Sequence, residues 1–380
     1  MEERLLDDFQ PTSAKAWSEL ITKELKGASI DSLNWQTNGL TGKPFYTQED
    51  LPAELPNLQF ENQAPEKLGA RHWVNYQVVK VENEKEANQK AILALNSGAT
   101  GILFQLEFTP NFQQLLKDIL LPYCHIGFQL TQSGEPFIKD FEGYIEKSEF
   151  SADQIHGFIQ TEEKIVWSQL PNFKSVIVGQ KNSNICAELA LTLAETIDVL
   201  DQADPSDLKK HFYQLQFNVE VGTSYFVEIA KHRALRLLLV QLGQAYGFEV
   251  NPAQLQIASC SGHWNEPTKD EYNYLLRACT QAMAAIIGGT NAVVINPFYP
   301  LFPKNTAQAE RMARNISTLL KDESYFDKTI DAAAGTYFLE SLTAQIVEKS
   351  WQLLQDIEAK GGLSKITETE LDTLTKSVAV

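Results

Sequence analysis

The chain has 380 residues, 43% hydrophobic and 21% charged, with a formal net charge of -17 and a mean hydropathy of -0.24. No apolar run approaches the roughly 20 residues that a bilayer span requires, and so acidic a surface repels phosphate backbones, which argues against nucleic acid as a partner. The acidic opening MEERLLDDFQ lacks the basic start and apolar core of a secretory signal and the arginines of a transit peptide, so a cytoplasmic location is expected.

Residues 1–65 read as an arm. Trp17, Leu20, Ile21 and Leu25 form an apolar stripe at helical spacing, and Gly27 follows as a stop. The turn-rich stretch SLNWQTNGLTGKPFYTQEDLP comes next. A lone amphipathic helix has nothing to bury its stripe against, so these four side chains are expected to pack on the body of the chain or on a partner.

Residues 66–380 alternate between two periodicities. Short apolar runs recur at 73–81, 100–106, 124–130, 175–180, 212–221, 255–262, 291–298 and 329–338, several of them nearly continuous, as parallel strands covered on both faces are. Helices are predicted over 84–97, 185–200, 224–246, 272–287 and 341–359, with Gly98, Gly288-Gly289 and Gly361-Gly362 as stops. Strand–helix alternation implies a mostly parallel sheet, and eight strands favour a closed (β/α)8 TIM-type barrel, α/β in class, with an N-terminal helical arm. Residues 136–172 are longer and more polar than one crossover needs and are predicted to be an insertion with one or two helices.

In such a barrel the chemistry lies at the C-terminal ends of the strands. There the sequence offers no cluster of His, Asp and Glu and no carboxylate pair at acid/base spacing. Walker, GxGxxG and HExxH motifs are absent. The four cysteines have no metal spacing and read as buried, reduced thiols; no metal site is predicted. Gly288-Gly289-Thr290 sits at a helix C-terminus, the wrong dipole end for phosphate. Of the six histidines, His232 reads as structural and His263 is the best placed to meet a ligand, although a satisfied loop histidine is the plainer expectation. Arg233, Arg236, Arg311 and Arg314 read as a solvated or salt-bridged helix face.

Several stretches, in order, carry a family resemblance: WSELITKELKG, VGTSYFVEIAKHRALRLL, DEYNYLLRACTQAMAAIIGGTNA, ERMARNISTLLKDE and TIDAAAGTYFLESLT. Together they resemble the substrate-barrel domain of the methylmalonyl-CoA mutases. The resemblance implies an adenosylcobalamin-dependent isomerase that interconverts methylmalonyl-CoA and succinyl-CoA, with the CoA pantetheine chain threading a barrel lined by small polar residues. It also marks departures. The catalytic run Arg-Pro-Trp-Thr-Ile-Arg is here Arg71-His72-Trp73-Val74-Asn75-Tyr76; Gly-Tyr-His is Gly179-Gln180-Lys181; Arg-Thr-His-Cys-Gln is Gln256-Ile257-Ala258-Ser259-Cys260; Asn-Ser-Phe-Asp-Glu is Asn296-Pro297-Phe298-Tyr299-Pro300. Arg71, Trp73, Tyr76, Lys181, Ala258, Cys260 and His263 are thereby expected to mark a vestigial substrate pocket, with no catalytic residue. Losing a carboxylate-binding Arg removes a charge-assisted pair worth about 1.5–3 kcal/mol. The cobalt-ligating Asp-x-His-x-x-Gly motif is also missing, so no cofactor is expected on this chain. The resemblance thus implies the small, non-catalytic kind of subunit, forming a heterodimer with a catalytic large subunit that carries adenosylcobalamin, the helix around Trp17 wrapping that partner; a homodimer is the alternative for the isolated chain. Two other readings stay open: a barrel that works with a separate cobalamin-binding chain, and a barrel that binds acyl-CoA-type small molecules.

Overall fold

The computed structural model describes residues 12–37, 39–55, 70–131, 134–161, 169–179, 184–262, 272–299 and 306–377. The arm begins with α1 (Ala14–Glu24), whose N-cap Ser13 accepts a hydrogen bond from the Ala16 N–H. None of its residues is buried. A two-stranded antiparallel ribbon follows, β1 (Trp35–Thr37) and β2 (Leu40–Gly42).

Eight parallel strands then close into a barrel: β3 (Val74–Lys80), β4 (Gly101–Leu106), β5 (His125–Leu130), β6 (Gly157–Gln160), β7 (Phe173–Val178), β8 (Leu215–Val221), β9 (Gln256–Ser261) and β10 (Ala292–Val294), with β10 pairing back to β3. Helices α2 (Glu84–Leu95), α3 (Phe112–Leu115), α4 (Gly134–Glu146), α5 (Ile185–Leu200), α6 (Leu208–Tyr213), α7 (Tyr225–Ala245), α8 (Asn273–Gly288), α9 (Thr306–Asp322) and α10 (Tyr337–Ala359) surround it, and α11 (Glu368–Ser377) packs on α10. Period-two alternation sends one face of each strand outward to these helices. The largest outer core unites α5, α7 and α10 with β8 and β9; a second unites α2, α3 and α4 with β4 and β5 around Phe104, Phe112, Phe128, Phe137 and Phe141. The ribbon is held to the body by Gln345 of α10, whose side chain accepts from the Thr41 N–H and donates to the Thr41 carbonyl.

The barrel and the predicted helices are as the sequence implied, but one strand is not. Residues 329–338 form turns and the start of α10 instead of a strand: the Asp331 side chain accepts from the Ala333 N–H, and Gly335 takes a left-handed φ of 74°. The eighth strand is β6, inside the stretch 136–172. That stretch therefore holds a helix and a barrel strand of its own, and four residues were too few to stand out as an apolar run.

Candidate functional site

The barrel interior is stacked in three levels. At the N-terminal face, Tyr76, His125, His156, Lys174, Gln216 and Gln256 line a cup of about 490 Å³, and none of its lining residues is a carboxylate. The His125 and His156 rings lie 5.4 Å apart. Burial, then the neighbouring histidines His156 and His72, push His125 down to about 4; burial also lowers His156 and Lys174. Neutral imidazoles beside one ammonium can accept an anion or hydrogen-bond a polar group.

The middle level is apolar: Val74, Tyr76, Leu103, Phe158, Val176, Ala258 and Val294 form one buried cluster. The Tyr76 and Phe158 rings meet edge-on at 5.3 Å. Two glycines make room for them. A Cβ on Gly101 would lie 2.7 Å from the Tyr76 ring, and one on Gly127 would lie 2.6 Å from Phe158. Strand pairing sets Leu103 beside Gly127 and Gly127 beside Phe158, so the plug crosses three adjacent strands. Burial pushes the Tyr76 hydroxyl well above the ordinary phenol range.

At the C-terminal mouth, pairing aligns Lys80, Gln105, Gln129 and Gln160 in a single row over β3 to β6. The Gln105 amide donates to Gln129 Oε1 at 2.8 Å. These residues, with Glu107 and Thr161, line a second cup of about 510 Å³. Its titratable groups are Lys80 and Glu107, both exposed, and Lys80 is paired with Glu82 at 3.0 Å. Amides neither give nor take a proton near neutral pH, so among the described residues this cup holds no poised acid or base.

Behind the mouth lies a buried charge cluster. Lys231 Nζ sits 2.8 Å from Glu228 and 3.3 Å from Glu188 and donates to the Glu220 carbonyl at the end of β8. Burial works against its charge, but the two carboxylates outweigh burial and raise it. Burial raises Glu188 against the pull of Lys231, with repulsion from Glu228 adding to the rise. Two carboxylates share one cation here. The adjacent His232 joins α7 to β9 through Ser259 Oγ at 2.8 Å, and Ser259 in turn donates to Thr290. With zero exposure it serves packing, as the sequence implied.

The expected pocket residues divide. Tyr76 and Ala258 lie in the apolar plug, and Cys260 packs at its edge with Asn296 Nδ2 3.3 Å from its sulfur; burial raises that thiol to about 11. Trp73 and Arg71 do not line the interior. Trp73 faces outward, its Nε1 donating to Ser317 of α9, because it is out of phase with Tyr76 on the strand. Arg71 precedes β3 and reaches the carbonyls of Ile287 and Ile330. Lys181 and His263 lie outside the described residues. Of the α7 arginines read as solvated or salt-bridged, Arg233 is salt-bridged, though buried, between Asp331 and Glu340, while Arg236 bonds the Gly289 carbonyl and the Asn291 side chain. Cys124, Cys186, Cys260 and Cys279 are free thiols. The glutamine row went unread, although GILFQL and HIGFQL repeat FQL at matching strand positions, which is a legible signal.

The buried neutral histidines set an acid limit. Their folded values lie below the ordinary 6.5, with His125 at about 4 and His232 at about 3. A depressed value contributes stability above the unfolded pKa that is lost as pH falls toward the folded one. Urea unfolding should weaken by roughly 1 kcal/mol per pH unit per histidine between pH 6.5 and 4. Replacing His125 by Gln should flatten that slope by about one proton.

A family model described as methylmalonyl-CoA mutase matches residues 142–375. The methylmalonyl-CoA mutase small subunit of Porphyromonas gingivalis is 31% identical, the match covering 97% of this chain and 66% of that one. The methylmalonyl-CoA mutase of Cereibacter sphaeroides is 26% identical over 92% of this chain and 59% of its own length, and that of Escherichia coli 25% over 95% and 60%. The chain thus spans about three fifths to two thirds of the length of these relatives. Among the described residues, no helix is long and apolar enough to cross a membrane.

Proposed function

The chain belongs to the methylmalonyl-CoA mutase family, and we propose that in it the barrel has become a small, non-catalytic subunit. Its role is to complete a mutase assembly whose catalytic subunit carries adenosylcobalamin and does the interconversion of methylmalonyl-CoA and succinyl-CoA. The observation that carries this reading is the plug: Tyr76 and Phe158 fill the barrel axis at 4% and 1% exposure, with glycines placed opposite to receive them. A pantetheine chain has no open path through that level.

The described part of the mouth does not fit the cofactor either. His125 and His156 lie at the opposite face, His232 is sealed behind the strands, and among the described residues no group of three His, Cys, Asp or Glu is gathered. Cobalamin is therefore assigned to the catalytic subunit and not to this chain, and a cytoplasmic location is part of the same reading.

The arm supplies the contact with the partner. Trp17 and Leu20 are 43% and 47% exposed, and Ile21 and Leu25 are half-buried. A Trp and a Leu open to water on one helix are what an interface anchor requires. Co-expression with a catalytic mutase subunit should yield a heterodimer on affinity purification and light scattering. Trp17→Ala with Leu20→Ala should abolish co-purification while the isolated chain keeps its fold at a cost of about 1–3 kcal/mol, because both side chains are partly covered and Trp17 meets Phe45 edge-on at 5.9 Å. A wild-type chain that stays unassembled beside the catalytic subunit sinks the subunit role.

A second reading, a barrel that binds acyl-CoA-type molecules, is favoured by the carboxylate-free cup around Lys174, His125 and His156. It differs in requiring tight binding of a CoA ester by the isolated chain.

A further inference from the structure

Outside the barrel, between α2 and α9, lies a cleft of about 390 Å³ that neither cup reaches. Val79, Leu93, Ala94 and Ala307 give it an apolar floor, while Lys90, Arg311 and Arg314 stand around it with the single carboxylate of Glu310. The cleft exists because small residues, Ala94 of α2 and Ala307 of α9, face it where larger ones would close the gap. Leu93 is left 64% exposed at its edge.

Its charge runs against that of the molecule. In a chain of net charge -17, three cations share one cleft with one carboxylate. Arg314 is preorganised: Nε donates to the Ser97 carbonyl at 3.0 Å and Nη1 to Gln77 Oε1 at 3.2 Å, so the guanidinium is fixed before any ligand arrives. Lys90 and Arg311 are exposed and can close on an anion. The first turn of the 17-residue α9 also lines the cleft and adds the positive end of its dipole. Glu310, hydrogen-bonded by Tyr299, interacts with Lys90 and Arg314 and is the one group among the described residues of the cleft that competes with an incoming anion.

We propose that this cleft binds a small amphiphilic anion, a carboxylate or phosphate borne on a short apolar chain. The apolar floor takes the chain and the three cations take the head. The proposal is independent of the subunit role, since nothing in it involves the barrel interior or the arm.

Isothermal titration of the full chain with hexanoate, hexanamide and inorganic phosphate tests it. Hexanoate should bind one-to-one, with hexanamide and phosphate each about tenfold weaker or more, because one lacks the charge and the other the chain. The double variant Lys90→Met, Arg311→Gln should weaken hexanoate by about tenfold, and Glu310→Gln should strengthen it a few-fold. Lys90 and Arg311 are exposed, so the double variant should keep the wild-type melting temperature, and a gain of affinity on Glu310→Gln is not something misfolding produces. Absence of saturable hexanoate binding overturns the site. So does equal binding of hexanamide or phosphate, or a double variant that binds like the wild type.

Discussion

Replacing Lys231 by Met should cost about 3–5 kcal/mol, enough to unfold a marginal domain, because it strands two buried carboxylates without their cation. Lys231 is 1% exposed, Glu188 5% and Glu228 3%, so water does not reach them to compensate. The loss should depend on pH. Glu188 already stands above the ordinary carboxylate value, chiefly through burial, and removing Lys231 takes away the pull that opposes this rise. A carboxyl whose folded value is raised contributes stability below its unfolded pKa, and that contribution vanishes as pH rises through the folded one. The variant should therefore lose more at pH 8 than at pH 5 in urea melts. Adding Glu188→Gln and Glu228→Gln should restore much of the stability, since the triple variant buries no unpaired charge. A Lys231→Met protein equally stable at both pH values contradicts this account of the cluster.

Replacing Phe158 by Ala should cost about 3–5 kcal/mol through lost burial and the cavity left on the barrel axis. The site has little with which to refill. Gly127 opposite has no side chain, and Tyr76, Leu103 and Val176 are held by strands that pair on both sides. Denaturant unfolding measures the loss. A cost below about 1 kcal/mol would mean that the plug is loosely packed and the axis can open.

The barrel was legible because seven of its strands are long apolar runs and the helix stops are glycines, Gly98, Gly289, Gly361 and Gly362, that adopt left-handed backbone. β6 was not legible: GFIQ is too short to carry a period. TIDAAAGTYF misled for the opposite reason, since its alanines read as apolar while Asp331 and Gly335 enforce turns. The interior was half legible. Tyr76 and Ala258 could be placed from the pattern of family motifs, but their partner Phe158 lies on the strand that was missed. The sequence showed Trp73 to be present without showing that strand phase turns it outward to Ser317. Lys231 was invisible as a centre because Glu188 lies 43 residues away and on another helix, a proximity that only the closed barrel creates. The same distance rule hid the α2/α9 cleft, where Gln77 and Arg314 meet across 237 residues.

The plugged axis decides whether the barrel of this mutase-family chain still admits the family's ligand. Calorimetric titration of methylmalonyl-CoA into the isolated chain asks this directly. With Tyr76 and Phe158 closing the axis, the prediction is no one-to-one binding at micromolar concentrations. Tight, one-to-one binding of methylmalonyl-CoA to the wild-type chain would contradict the plugged barrel and return the molecule to the ligand-binding members of its family.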